Sequence, residues 1–306
     1  MRVIVDGETS EYASVVSGVP QGTVLGPLLF LCHINDLPDC VSSQVRLFAD
    51  DCLLYRPIKN HNDHIALQQD LNNLVSWANT WGMSFNSKKC YLLSSKSKSS
   101  YFYSISNNIL QQVKSTPYLG VIISEDFKWT THINKITSKA NSMLGLLKRN
   151  LKRCPLDCKK LGYTSMVRSN LEYAAAIWDP YQQGDIDPLE RVQRKAARFI
   201  SSDYKSREEG FMTHLLEKLE LPTLQNRRKM DKLCLMYKIT NNFFPAINPN
   251  KYSSQHCQLD GGLNQLVLKT LLSLILWKIK LIIIAKLSSI FLVEPPSIGT
   301  LFSPLL

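Results

Sequence analysis

The stretch Val45-Arg46-Leu47-Phe48-Ala49-Asp50-Asp51-Cys52-Leu53-Leu54-Tyr55 constrains this chain most, because two short apolar runs enclose an adjacent pair of carboxylates. The β-branched, aromatic and aliphatic residues on each side predict strand, turn, strand, with Asp50 and Asp51 at a hairpin tip. Two carboxylates about 5 Å apart repel by roughly 3 kcal/mol at an effective dielectric near ~20, and an apolar flank adds to their desolvation cost. A divalent cation turns that repulsion into attraction. A solvated Asp-Asp turn accounts for the same residues, since Asp is a common turn residue, and the hairpin alone does not separate the two readings.

With 306 residues and 44% hydrophobic content, the chain can build one large core or two ordinary ones and is not of a disordered composition. Lysine and arginine number 36 against 25 acids, a formal net charge of +11, which favours polyanionic partners. The eight cysteines are scattered, several inside apolar runs where a buried thiol is ordinary, and suit a reducing intracellular compartment, nucleus or cytoplasm. Cys154 and Cys158 lie four apart and Cys257 follows His256, but no second pair completes a zinc site. No charged-then-apolar leader is visible at the N-terminus, so secretion is not expected.

Val3 to Val5, the Asp6-Gly7 turn and Tyr12 to Ser17 predict an opening hairpin. Ser17-Gly18-Val19-Pro20-Gln21-Gly22-Thr23 reads as a loop in which two glycines permit close backbone approach and Pro20 stiffens the path. A helix starts at Gly26-Pro27 and ends at Leu37-Pro38; it is apolar almost all round, which predicts burial behind the strands. After the Asp hairpin, Ile65, Leu67, Leu71, Leu74, Val75, Ala78 and Trp81 recur at helical spacing, with Gly82 as the stop. Strands are expected over Tyr91 to Ser95 and Tyr118 to Ile123, and a hairpin over Tyr101 to Ile105 and Ile109 to Val113 about the turn Ser106-Asn107-Asn108.

From Trp129 the period becomes helical. Ile133, Ile136, Ala140, Leu144, Leu147 and Leu151 form one stripe, with Thr130 or Thr131 available as cap. Between residues 128 and 168 ten basic side chains (Lys128, Lys135, Lys139, Lys148, Arg149, Lys152, Arg153, Lys159, Lys160 and Arg168) meet one acid, Asp157. A solvated helix face usually mixes signs, so this bias favours a polyanion-binding surface. Asp187-Pro188 reads as the start of a second basic helix carrying Arg191, Arg194, Lys195 and Arg198, and two further helices are expected over 211–219 and 224–241. Leu271 to Ser289 is apolar, yet Lys278, Lys280 and Lys286 each cost about 2.5 to 3.5 kcal/mol at mid-membrane, against about 0.3 to 0.6 returned per Leu or Ile. It is expected to be a helix that does not insert stably in a membrane.

These residues carry a resemblance. Ser17 through Leu28, Ile34-Asn35-Asp36-Leu37-Pro38 and Phe48-Ala49-Asp50-Asp51, in this order and spacing, resemble the reverse transcriptase of non-LTR retrotransposons. The likeness continues through Trp77, Trp81, Phe85-Asn86, Lys89-Cys90 and Tyr118-Leu119-Gly120-Val121 into Leu171-Glu172-Tyr173-Ala174 and Val192-Gln193-Arg194, most like jockey and chicken-repeat-type elements, over about residues 1 to 241. It implies an RNA-directed DNA polymerase, with an RNA template, a DNA primer and deoxynucleoside triphosphates as partners. It further implies two Mg2+ ions held with Asp50 and Asp51, Asp50 being the more direct ligand. Template and incoming nucleotide would meet Gly18, Val19, Pro20, Gln21 and Gly22. Lys89 would sit near the nucleotide phosphates, although a surface lysine in a turn explains it nearly as well. Tyr118, Leu119 and Gly120 would grip the primer, and Lys135, Lys139, Lys148, Arg149, Lys152 and Arg153 would follow the nucleic-acid backbone.

The resulting expectation is an α+β fold: a partial polymerase palm of antiparallel strands backed by helices over 1–125, a helical thumb-like region over 126–245, and an atypical apolar tail over 246–306. The family's first catalytic aspartate lies on a strand upstream of the opening hairpin; Asp6, in a turn, does not replace it, so little or no polymerase activity is expected of this chain. Two other readings stay open: a catalytically silent remnant that only binds nucleic acid, and another metal-dependent phosphoryl-transfer enzyme, such as a nuclease, for which nothing beyond the Asp pair speaks.

Overall fold

The computed structural model describes residues 2, 4–12, 18–20, 22–94, 101–241, 243, 281–288 and 292–293, and divides into two compact units, residues 1–114 with 279–306, and residues 115–278. The architecture mixes helices and small sheets, as expected at that coarse level.

In the first unit, β1 (Ile4–Val5) and β2 (Glu8–Thr9) form a hairpin over the Asp6-Gly7 turn. Then come β3 (Val19–Pro20) and helix α1 (Gly26–Ile34). β4 (Gln44–Phe48) and β5 (Asp51–Arg56) follow, then helix α2 (His61–Thr80), β6 (Ser84–Phe85) and β7 (Tyr91–Ser94). A second hairpin, β8 (Ser104–Ile105) with β9 (Asn108–Ile109), and the short β10 (Gln111–Gln112) close the N-terminal part. The turn of that hairpin is Ser106-Asn107, both at positive φ, which Asn tolerates better than most side chains.

α2 is the keel of this unit. Its Asn60 cap and Asp63 form a reciprocal capping box, and its face Leu67, Leu71, Leu74, Trp77 and Ala78 packs with Val45, Cys52, Leu54, Phe85 and Leu92 of the sheet. Asp70, buried on that face, accepts hydrogen bonds from the backbone N–H of Ser42 and of Ser43, both at 2.8 Å, and lies 3.7 Å from the Arg56 guanidinium. The Gln68 amide exchanges two hydrogen bonds with the Ser104 backbone, tying the second hairpin to the same helix.

Two expectations about this unit are corrected. α1 ends at Ile34, before a separate 3-10 turn (Leu37–Cys40), and only its Gly26, Phe30 and Ile34 stripe is buried. Leu28 is 57% exposed and Leu31 54%, because an all-apolar helix buries only the side that meets a partner. The apolar tail, expected to be helical, forms strands: β13 (Leu281–Ser288) and β14 (Leu292–Val293). Its run of Ile282, Ile283 and Ile284 suits a strand, since β-branching favours the pleated backbone and lowers helix propensity. Residues 271–280, the other half of that expectation, lie outside the described residues, as do 13–17 of the opening hairpin. The main sheet runs in the order β10-β7-β13-β5-β4, with β6 also pairing β13.

The second unit opens with the hairpin β11 (Ser115–Tyr118) and β12 (Val121–Ser124), where a single strand over Tyr118 to Ile123 was expected; Leu119-Gly120 is the turn. Helix α3 (Thr130–Asn150) carries the expected stripe but lacks a side-chain cap, since the Thr130 hydroxyl donates instead to Asp185. Then come α4 (Leu156–Gly162), a π-helical turn (Tyr163–Arg168), α5 (Ser169–Glu172), α6 (Ala175–Trp178), α7 (Gln183–Ser201), α8 (Phe211–Lys218) and α9 (Leu224–Thr240). α7 begins four residues before the expected Asp187, with Pro188 inside it, because backbone N–H groups of Asp185 and Ile186 already turn onto the Gln182 carbonyl. The unit's core joins Ile133, Leu144, Val167, Trp178, Leu189 and Phe199. Arg228, wholly buried, donates from Nε to Asp179 at 2.7 Å, and Lys232 pairs with the same carboxylate.

His132 is buried edge-on against Trp178, with ring centroids 5.2 Å apart, and its Nδ1 accepts the Ile122 N–H. Burial, aided by the charge of Lys135, pushes its pKa down to about 4. The folded state therefore keeps this ring neutral while the unfolded chain protonates near pH 6.5, so stability is present above that pH and lost as pH falls toward 4. Over that window the second unit should lose up to about 3 kcal/mol, and His132→Asn should show a shallower pH dependence in urea titrations followed by tryptophan fluorescence. For the first unit, Asp70→Ala should cost about 2 kcal/mol in denaturant unfolding, because the backbone donors of Ser42 and of buried Ser43 lose their acceptor.

Candidate metal centre and nucleic-acid interface

β4 and β5 pair antiparallel from Gln44↔Tyr55 to Phe48↔Asp51, which leaves Ala49 and Asp50 as a two-residue turn. Tight hairpin turns of this length demand positive φ, and Ala49 adopts it, at 47°, without the glycine that makes it easy. Strain of this kind, of order 1 kcal/mol, persists where the surrounding pairing overrules it. Asp50 forms the apex and Asp51 opens β5; both are half-buried, with exposed Phe48 on one side and fully buried Cys52 on the other. Burial pushes the Cys52 thiol up to about 12, so it is an inert neighbour and not a ligand at neutral pH.

The donor set suits a hard cation. Magnesium is commonly held by one or two carboxylates together with substrate phosphate oxygens and water, and an accessible pair at a turn allows that. Among the described residues no group of three or more His, Cys, Asp or Glu side chains converges, so the pair fits one ion in kind and leaves a second ion without carboxylates of its own.

The sheet places other expected residues at the same end. Lys89 is exposed at the close of a 3-10 turn (Ser87–Lys89), two residues before β7, and β13 packs against that turn. The end of β13 that pairs Asp51 also pairs β6, through Lys286↔Asp51 and Leu287↔Phe85, so Asp51 and the Lys89 turn flank one strand. Of the Gly18 to Gly22 loop, Gly18 and Gly22 take positive φ of 79° and 86°, Val19–Pro20 pair with β14, and Gln21 lies outside the described residues.

In the second unit, Tyr118, Leu119 and Gly120 surround a hairpin turn with φ of 47° at Leu119 and 82° at Gly120. The Tyr173 hydroxyl donates to the Leu119 carbonyl at 3.1 Å, and a Cβ on Gly120 would stand 3.0 Å from the Tyr173 ring. Glycine is thus required twice over, for its φ and for the ring against it. Tyr173 stood in the sequence reading only as part of a matching word; nothing in its local pattern tells that it braces a turn more than fifty residues away.

The basic residues divide. Lys135, Lys139, Arg149, Lys152 and Arg153 are exposed, and Lys135 and Lys139 share a face of α3 by their spacing of four. Lys148 is half-buried; burial first and then the charge of Lys195 on α7 lower its pKa, and its ammonium lies 6.0 Å from the Tyr204 ring centroid. Three of the ten basic residues serve the fold instead. Lys159 is buried, donating to Ser202 at 2.8 Å, Lys160 pairs with Glu220 at 3.0 Å, and Arg168 with Glu172 at 3.6 Å. Lys195, which no local pattern singled out from its helix, joins the exposed group through the packing of α3 on α7.

Residues 2–123 match the family described as reverse transcriptase (RNA-dependent DNA polymerase). Among curated relatives, the chain is 27% identical over 201 residues to the probable RNA-directed DNA polymerase from transposon X-element of Drosophila melanogaster, covering 61% of this chain and 22% of the relative. It is 26% identical over 216 residues to the RNA-directed DNA polymerase from mobile element jockey of the same organism, covering 65% of this chain and 23% of the relative. A retrovirus-related Pol polyprotein from type-1 retrotransposable element R1 of Nasonia vitripennis is 23% identical over 179 residues, 53% of this chain and 52% of the relative. The chain spans roughly a fifth of the length of the first two. No solved structure matches it.

Proposed function

We propose that the first unit is part of the palm of an RNA-directed DNA polymerase, since residues 2–123 match the reverse transcriptase family and the chain is similar to the jockey polymerase, and that Asp50 and Asp51 are its metal-binding carboxylates. The observation that carries this reading is the adjacent, half-buried carboxylate pair on a strained two-residue turn inside the matched segment. A bound divalent cation supplies charge neutralisation for the attacking primer hydroxyl and the nucleotide phosphates. The chain's own residues do the rest of what is proposed: the β4–β5 pairing holds both carboxylates against their mutual repulsion, and the Gly18 to Gly22 loop offers backbone to template and nucleotide. Lys89 adds a positive charge at the same end of the sheet. The hairpin braced by Tyr173 grips primer, and Lys135, Lys139, Lys148, Arg149, Lys152 and Arg153 in the thumb-like second unit follow phosphates without reading bases.

Among the described residues the converging carboxylates come from one hairpin, and two ions need more, so we infer that this chain binds nucleic acid with little or no primer extension.

Manganese titrated into isotope-labelled protein should broaden the amide signals of residues 48–53 first, and Asp50→Asn should abolish the effect; broadening elsewhere would remove the metal assignment. In a filter-binding titration with an RNA–DNA duplex, affinity should fall steeply with salt, and Lys135→Glu with Lys139→Glu and Arg149→Glu should flatten the log–log slope by about 3, roughly one per lost phosphate contact. Magnesium-dependent primer extension by this chain, abolished by Asp50→Asn, would overturn the inactive assignment.

A further inference from the structure

β5 and β7 are both antiparallel to β13 and hence parallel to each other, with α2 carrying the chain from one to the other across one missing place in the sheet. Among the described residues the buried core of this unit runs from Phe30 to Leu110, whereas the strand in that place arrives after the whole intervening second unit. Without it, the facing edges of β5 and β7 present two rows of backbone N–H and C=O groups, over Asp51 to Arg56 and Tyr91 to Ser94. A slot edged on both sides is a stronger template for an extended chain than a single sheet edge. The occupant suits a strand paired on both edges: Leu281-Ile282-Ile283-Ile284-Ala285 is unbroken apolar sequence, and its one charge, Lys286, stands at the register position of Asp51. A few residues on, Leu292–Val293 pair with Val19–Pro20, so the same segment engages both the Asp hairpin strand and the glycine loop.

We propose that the place between β5 and β7 is a strand-binding site, that residues 281–288 are its tethered occupant, and that it accepts the same segment in trans, as an extended apolar peptide ending in a cation opposite Asp51. Recognition is by main-chain pairing on both sides, with the lysine setting register. This inference is independent of the polymerase reading, since it rests on strand pairing and on the register of Lys286 with Asp51.

The test uses the full chain and a fluorescein-labelled synthetic peptide of residues 280–290 with a solubilising lysine tag. In the unmodified protein the tethered strand should keep the peptide out, and amides of 51–56, 91–94 and 281–288 should be slow in hydrogen exchange. Ile283→Pro, which removes a ladder donor, and the milder Lys286→Glu, which sets like charges opposite each other, should each raise peptide affinity at least tenfold by anisotropy. Bound peptide should restore slow exchange to 51–56 and 91–94 in both variants. Equal uptake by all three proteins, uptake by none, or 281–288 exchanging at free-chain rates in the unmodified protein would each overturn the proposal. Lys286→Glu keeps the outcome readable if the proline variant unfolds.

Discussion

The pairing of β5 on both sides is the constraint on which the first unit rests. β5 carries Asp51 at one end and a run of buried side chains behind it, and it is held by β4 through a two-residue turn and by β13 through most of its length. The turn residue Ala49 stays at positive φ because the β4–β5 pairing, anchored by β13 on the far side of β5, fixes both ends of the turn. The carboxylates reach the surface together for the same reason: Cys52 and Leu54 must face α2, so the chain has no freedom to swing the hairpin tip away.

Charge organises the second unit in a different way. Asp179 holds buried Arg228 and half-buried Lys232 of α9, and removing that carboxylate would strand the Arg228 charge away from water. Lys135, Lys139, Arg149, Lys152 and Arg153, on α3 and the following turn, instead stay exposed at the surface, where the proposed function would have phosphate neutralise them. One composition, +11 overall, thus serves two ends, and only packing sorts lysines such as Lys159 from Lys135.

What local pattern shows, the structure keeps. The helices over Leu224–Thr240 and Phe211–Lys218, the Asp hairpin and the turn at Ser106-Asn107 follow from periodicity and turn chemistry. Where pattern misleads, a distant partner is the cause. Pro188 looks like a helix start, but Gln182 already accepts two backbone hydrogen bonds ahead of it. Thr130 looks like a cap, but Asp185 takes its hydroxyl. Tyr118 to Ile123 looks like one strand, but Leu119-Gly120 folds it back under Tyr173.

The sequence by itself determined the carboxylate pair, the glycine loop ahead of it, the helical periods and the excess of positive charge, because each is a property of neighbours a few residues apart. Tertiary structure alone decided which apolar face of α1 finds a partner, which lysines are buried, and that the C-terminal isoleucine run becomes the strand beside Asp51. A short apolar run satisfies helix and buried strand equally, and its choice is made by strand edges that lie roughly two hundred residues back in the chain.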